Sequence, residues 1–167
     1  MEIREVRVSD AASMVQLMDQ LANESKFMMF EPAERNVTAE EQAKIIESFT
    51  GNNSKSMFVL ADESGVHGFV VGVGNSANRN KHSMHCVIGI KQSNAGKGYG
   101  KSLLRQLETW AAEHHFTRME LTVMCHNERA YNLYLSHGFE VEGVKRKSLK
   151  VDGQYVDEYY MSKISGT

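Results

Sequence analysis

"CVIGIKQSNAGKGYGKSLL", Cys86–Leu104, is the stretch that decides the fold. An apolar run ends at Ile90, a glycine-rich turn follows, and Leu103, Leu104, Leu107, Trp110 and Ala111 then recur at the spacing of one helix face. The segment therefore reads as strand, turn and amphipathic helix. The turn itself can be read in two ways. From Ala95 it satisfies a relaxed triphosphate loop, a small residue followed after four positions by Gly100-Lys101-Ser102. From its glycines, Gly96-Lys97-Gly98-Tyr99-Gly100, it is a cradle for a pyrophosphate. A helix N-terminus carries about half a positive charge and unpaired N–H groups, and glycine lets backbone approach phosphate closely.

The triphosphate reading fails on its partners. Such a site needs a second strand ending in an aspartate that helps hold magnesium. After Ser102 the aspartates are Asp152 and Asp157, in or beside a hairpin turn, and the strand Met119–Met124 runs into Cys125-His126-Asn127 instead. The dinucleotide fingerprint fails too, because it needs glycine where Lys101 stands.

Working outward, Ile3–Val8 reads as a first strand, and Ser9 or Asp10 caps a helix with Met14, Val15, Met18, Leu21 and Ala22 on one face. Glu24–Asn36 loses that period and holds the chain's only proline, Pro32, so it is a loop. Thr38-x-x-Glu41 is a capping box opening a second helix, which carries Ile45, Ile46 and Phe49 and stops at Gly51-Asn52-Asn53. Met57–Ala61 and Val66–Val73 are strands joined by the hairpin turn Asp62–Gly65. Asn75–Lys81 is a polar turn and Ser83–Ile90 a further strand. Beyond the glycine turn and its helix come the strand Met119–Met124 and a helix from Asn127 to His137, ended by Gly138. Val141–Val151 and Gln154–Met161 close the chain as a hairpin around Asp152-Gly153. The order β-α-α-β-β-β-α-β-α-β-β predicts one α/β domain over residues 1–167, with a mixed, mostly antiparallel central sheet flanked by helices.

Composition narrows the function classes. The chain is 41% hydrophobic and 24% charged, with a formal net charge of −2, so no nucleic-acid footprint or polybasic membrane patch is expected. The N-terminus lacks a signal-peptide pattern, and no run has the apolar length of a membrane span. Cys86 and Cys125 both fall in apolar runs that read as strands, which predicts free buried thiols and a cytoplasmic setting. No cluster of Cys, His, Asp and Glu has zinc spacing, so no metal is expected.

Three segments, in this order, resemble the GNAT superfamily of acyl-CoA-dependent N-acetyltransferases. "CVIGI" running into "KQSNAGKGYGKSLL" resembles the family's strand, glycine turn and helix. "NERAYNLYLSHGF", Asn127–Phe139, resembles the motif in which an Asn opens a helix bearing a tyrosine before Gly-Phe. "EVEGVKRKSLKVDGQYVDEYYM" resembles the C-terminal hairpin of bacterial members. The resemblance implies an N-acetyltransferase with acetyl-CoA as acyl donor and an amine of a small molecule, peptide or protein as acceptor, and leaves a homodimer open. A non-catalytic acyl-CoA-binding module is the alternative, and a nucleoside-triphosphate protein the remote one.

The same resemblance distributes roles. The cradle comprises Ala95, Gly96, Lys97, Gly98, Tyr99, Gly100, Lys101 and Ser102, with Gly96, Gly98 and Gly100 supplying positive φ and the two lysines charge. The family usually has Arg or Gln where Ala95 stands, so one customary phosphate side chain is missing here. Backbone of Ile88, Gly89 and Ile90 pairs with the pantetheine arm, Asn127 adds a contact while capping its helix, and Tyr134 is the general acid toward the leaving thiolate. Glu31, His82 and His85 are candidates for the base or the acceptor site. The loop "KFMMFEPAER", with Met28, Met29, Phe30, Glu31, Glu34 and Arg35, is the candidate acceptor wall.

Overall fold

The structure is a computed structural model describing residues 1–166. Seven strands form one sheet in the order β1-β2-β3-β4-β5-β7-β6. They are β1 (Glu2–Glu5), β2 (Lys55–Asp62), β3 (Gly65–Gly74), β4 (Ser83–Ile90), β5 (Arg118–Met124), β6 (Glu140–Val151) and β7 (Gln154–Ile164). Every neighbouring pair is antiparallel except β4 and β5. Helices α1 (Ala11–Glu24) and α2 (Ala39–Glu47) cover one face; α3 (Tyr99–Glu113) and α4 (Glu128–Ser136) are built on the other.

The period of two along β2 shows how one sheet serves two cores. Phe58 and Leu60 pack with Leu103, Leu104, Leu107 and Trp110 of α3, while Met57, Val59 and Ala61 pack with Met14, Leu17 and Leu21 of α1. Each fully buried leucine contributes roughly 1.5–3 kcal/mol of transfer free energy, so both helices are held by their apolar stripes rather than by helix propensity.

Four local readings need correction. The first strand ends at Glu5 rather than Val8. Asp10, buried and bonded to Arg4 at 2.8 and 2.9 Å, also accepts from the Arg7 amide at 2.8 Å, which folds Val8–Asp10 into a 3-10 turn. Thr38 caps α2 by accepting from the Glu41 amide at 3.1 Å, but the return bond of a capping box is not made. Cys125 lies in the turn after β5, half-buried, because its amide donates to Asp157 O as the chain turns toward α4; only Cys86 is a buried strand thiol. Gly100 has no positive φ: it is inside α3, where a Cβ would sit 2.8 Å from Leu133 Cδ2, so its smallness serves the α3–α4 approach.

The feature that places the site is a fork. β4 and β5 pair only through Ser83↔Arg118, Met84↔Met119 and His85↔Glu120. Beyond that rung β4 continues to Ile90 bonded to β3 alone, and β5 continues to Met124 bonded to β7 alone. Two strand edges therefore face each other without a ladder between them.

Candidate active site

A cleft of about 1070 Å³ opens in the fork. At one end it is walled by Ile88, Gly89 and Ile90 of β4 and by the turn into α3. That turn is fixed from below. The Gln92 amide donates to Glu24 Oε2 at 3.0 Å, and the Gln92 side chain donates to Glu24 O at 3.2 Å, so the end of α1 holds the segment in place. Gly96 and Gly98 adopt φ of 75° and 83°, and a Cβ on either would point into open space. Among the described residues, no acceptor meets the amides from Gly96 to Lys101. Six adjacent donors at the head of a fifteen-residue helix make a site for an anion with several oxygens.

The structure separates the residues of the predicted cradle. Ala95, Gly96, Gly98, Tyr99, Gly100 and Lys101 line the cleft; Lys97 and Ser102 do not. The Ser102 hydroxyl instead donates to Gly98 O at 3.2 Å, within its own helix turn. Arg129, in the first turn of α4, lines the same cleft and brings a cation that the sequence reading missed. Its signal was available: it lies two residues after Asn127, at a helix start.

Asn127 caps α4 by accepting from the Ala130 amide at 3.3 Å and borders the cleft. Tyr134, seven positions on, is 6% exposed and packs its ring 5.7 Å from that of Phe139, on the α3 side of the fork. Burial raises its phenol pKa above the usual range, and the nearby Cys86 adds to the rise. Among the described residues no hydrogen bond engages its hydroxyl, and the residue lines the cleft. The Cys86 thiol is pushed up to about 12, by burial first and by Glu120 second, so it stays protonated and is a poor nucleophile.

The other end of the cleft lies on the α1–α2 face. His85 and Val87 of β4, Thr122 and Met124 of β5, Gln42, Ile45 and Phe49 from the second helix and its exit, and Met28, Met29, Phe30 and Arg35 of the α1–α2 loop all line it. The loop reaches across: the Phe27 ring lies 5.1 Å from that of His126, and Lys26 pairs with Asp152 at 3.4 Å. Of the three base candidates His85 borders the cleft, whereas Glu31 and His82 stand outside its wall. Glu31 is exposed in its own turn, and His82 gives its carbonyl to Thr117 and Arg118 at the closed end of the fork. Two buried polar residues in the wall were not anticipated, Gln42 and Glu158, each 5% exposed. Neither stood out in sequence, because a single polar residue in a helix or strand reads as a solvent-facing position.

Comparisons with known proteins agree with this architecture. The profile of the acetyltransferase (GNAT) family matches residues 16–139. An L-amino acid N-acetyltransferase of Escherichia coli (strain K12) is 35% identical over 72 residues, 41% of this chain and 43% of that protein, so the match spans less than half of the relative's length. The crystal structure of a GNAT-family acetyltransferase from Streptococcus pneumoniae superposes with a TM-score of 0.94 at 25% identity, covering 98% of this chain and 99% of that one. A phosphinothricin acetyltransferase from Sinorhizobium meliloti, solved with acetyl-CoA, superposes with a TM-score of 0.85 at 21% identity, over 99% of this chain and 88% of its own. With the strand fork, the glycine turn at a helix head and a family match over most of its length, this chain belongs to the GNAT family of acetyltransferases.

Proposed function

We propose that the protein moves the acetyl group of acetyl-CoA onto a primary amine by direct attack within a ternary complex. The observation that carries the reading is the fork after His85↔Glu120, continuous with the unpaired amides of Gly96–Lys101. A pyrophosphate fits those amides, and the free β4 edge at Ile88–Ile90 offers backbone partners to an amide-bearing arm. Lys101 and Arg129 supply charge at the cleft. The thioester then lies toward the fork's closed end, between the Tyr134 side and the His85 side.

Acetyl-CoA supplies an activated acyl carbon with a thiolate leaving group. The acceptor ammonium gives one proton to water and reacts as the free amine. His85, directly or through water, takes a second proton as the nitrogen bonds to that carbon, the C–S bond breaks and Tyr134 protonates the sulfur. At reference values of roughly 10 for the phenol and 8.5 for a thiol, that last transfer is uphill by about 2 kcal/mol. Burial raises the pKa of phenol and thiol alike, so the enclosed cleft does not widen the gap by the full shift of Tyr134. The protonated Cys86 thiol argues against an acyl-cysteine route.

The acceptor wall of Met28, Met29, Phe30, Ile45 and Phe49 favours an amine attached to an apolar body. No helix among the described residues is long and apolar enough to cross a membrane, which is compatible with the cytoplasmic site of action inferred from the free thiols. Initial rates measured over a grid of acetyl-CoA and amine concentrations test the mechanism. Intersecting double-reciprocal lines are expected; parallel lines would indicate a covalent acyl-enzyme. Tight CoA binding with no turnover for any amine would support the binding-module alternative.

A further inference from the structure

Glu158 is the one acidic side chain in the wall of the cleft whose side chain is almost wholly enclosed, 7% exposed. It lies on β7 with Met124 of β5 and Lys145 of β6 as its cross-strand partners. Directly paired residues share a sheet face, and alternation along β5 then places Thr122, Met124 and Glu158 on the face that carries His85, the partner of Glu120. That is the acceptor side. Cys86, Val123 and Tyr134 belong to the opposite core, with α3.

Glu158 has a single, long ion-pair contact among the described residues. Among the described residues no hydrogen bond reaches its carboxylate. Its nearest cation, Lys145 Nζ, is 4.0 Å away at the limit of an ion pair, on a side chain 38% exposed. The same ammonium lies 5.2 Å from the Tyr160 ring, so Lys145 is shared between two partners. A carboxylate this enclosed gains from a cation that also brings hydrogen-bond donors. An acceptor ammonium brings up to three such donors, in addition to the charge.

We propose that Glu158 is the anchor for the acceptor's ammonium group, so that the site selects a cationic primary amine on an apolar carbon body over a neutral compound of the same shape. The proposal rests on the acetyl-transfer reading of the cleft, but concerns binding and not proton removal. The apolar body packs against Met28, Met29 and Phe30, and Glu158 reads the charge at its head. Lys145 competes for the carboxylate and is displaced as the amine binds.

The test uses CoA-loaded protein with 2-phenylethylamine and its neutral counterpart 2-phenylethanol as calorimetric probes. Wild type is expected to hold the amine more tightly than the alcohol. Glu158→Gln should weaken the amine at least about tenfold, the worth of a hydrogen bond to a charged group, and change the alcohol less than about twofold. Equal loss for both probes, or no loss for the amine, would overturn the assignment. Lys145→Met supplies an arm that does not depend on how Glu158→Gln folds: removing the competing cation should tighten amine binding, and unchanged or weaker binding counts against the anchor. These binding arms are separable from the reading beneath them. If wild type acetylates amines while both variants bind the probes as wild type does, Glu158 fails and the acetyltransferase reading stands. If CoA is bound but no amine is ever acetylated, that reading fails first.

Discussion

His85 on β4 and Glu120 on β5 are the last residues paired across the parallel rung, and the strands part immediately beyond them. The cleft opens from that rung. Behind it two further paired positions hold the strands together; ahead of it the two edges form a slot whose far end is the glycine turn. His85 stands on one face of the sheet, while its neighbours Met84 and Cys86 face the core that contains Tyr134. In the mechanism proposed above, a thioester entering the slot has His85 on one side and Tyr134 on the other.

Gly98→Val is expected to weaken CoA binding at least about tenfold, read by isothermal titration. Gly98 sits at φ 83°, where a β-branched residue costs about 1–2 kcal/mol, and its side chain would project into the open space above the amides. Gly100→Ala makes the contrast. Its Cβ meets Leu133 Cδ2 at 2.8 Å, so the expected loss is about 1 kcal/mol of stability in a thermal melt, with a smaller effect on CoA affinity.

Tyr134→Phe should lower kcat about a hundredfold while CoA affinity stays nearly constant. The hydroxyl makes no hydrogen bond to the described residues and the ring packing on Phe139 is kept, so the melting temperature should hardly move. A variant that turns over at the wild-type rate removes Tyr134 from the mechanism.

His85→Ala should reduce kcat by about tenfold to a hundredfold with little change in CoA affinity, measured by steady-state kinetics beside titration. Reversal of charge at Glu31 addresses the loop instead: any effect should fall on the KM of the amine, because Glu31 lies outside the cleft wall but beside Phe30, which lines it.

Asp10 predicts an acid-dependent part of the stability. Its hydrogen bonds from Arg4, with a further one from the Arg7 amide, hold its pKa below the ordinary carboxylate value of about 3.9. A folded pKa below the unfolded one means stability that is fully present above the unfolded value and lost as pH falls through the folded one. Asp10→Asn should therefore cost roughly 2 kcal/mol near neutrality. The gap in melting temperature between variant and wild type should close as the pH is lowered below about 4. A gap that is constant from pH 7 to pH 3 would assign the effect to packing.

The parts of the molecule that could be read from sequence are those whose signals are local. Leu103, Leu104, Leu107, Trp110 and Ala111 all mark the buried face of α3, and Asp152-Gly153 marks the last hairpin. The sheet order was harder to see, because the parting of β4 from β5 is a relation between strands far apart in the chain. Glu158 and Gln42 were invisible for the same reason: burial in a cleft wall is decided by which strands and helices surround it. Gly100 was misread because glycine signals both positive φ and close packing, and only the neighbouring Leu133 distinguishes them. Cys125 was misplaced at an element boundary, where one turn residue extends an apolar run.

The central claim, acetyl transfer to an amine, is met most directly by mixing the protein with acetyl-CoA and a panel of primary amines and following free thiol together with the mass of the amine product. The account predicts amine-dependent thiol release matched by acetylated amine, strongest for amines with apolar bodies. Thiol release independent of any amine, or none at all while CoA binds, would contradict it.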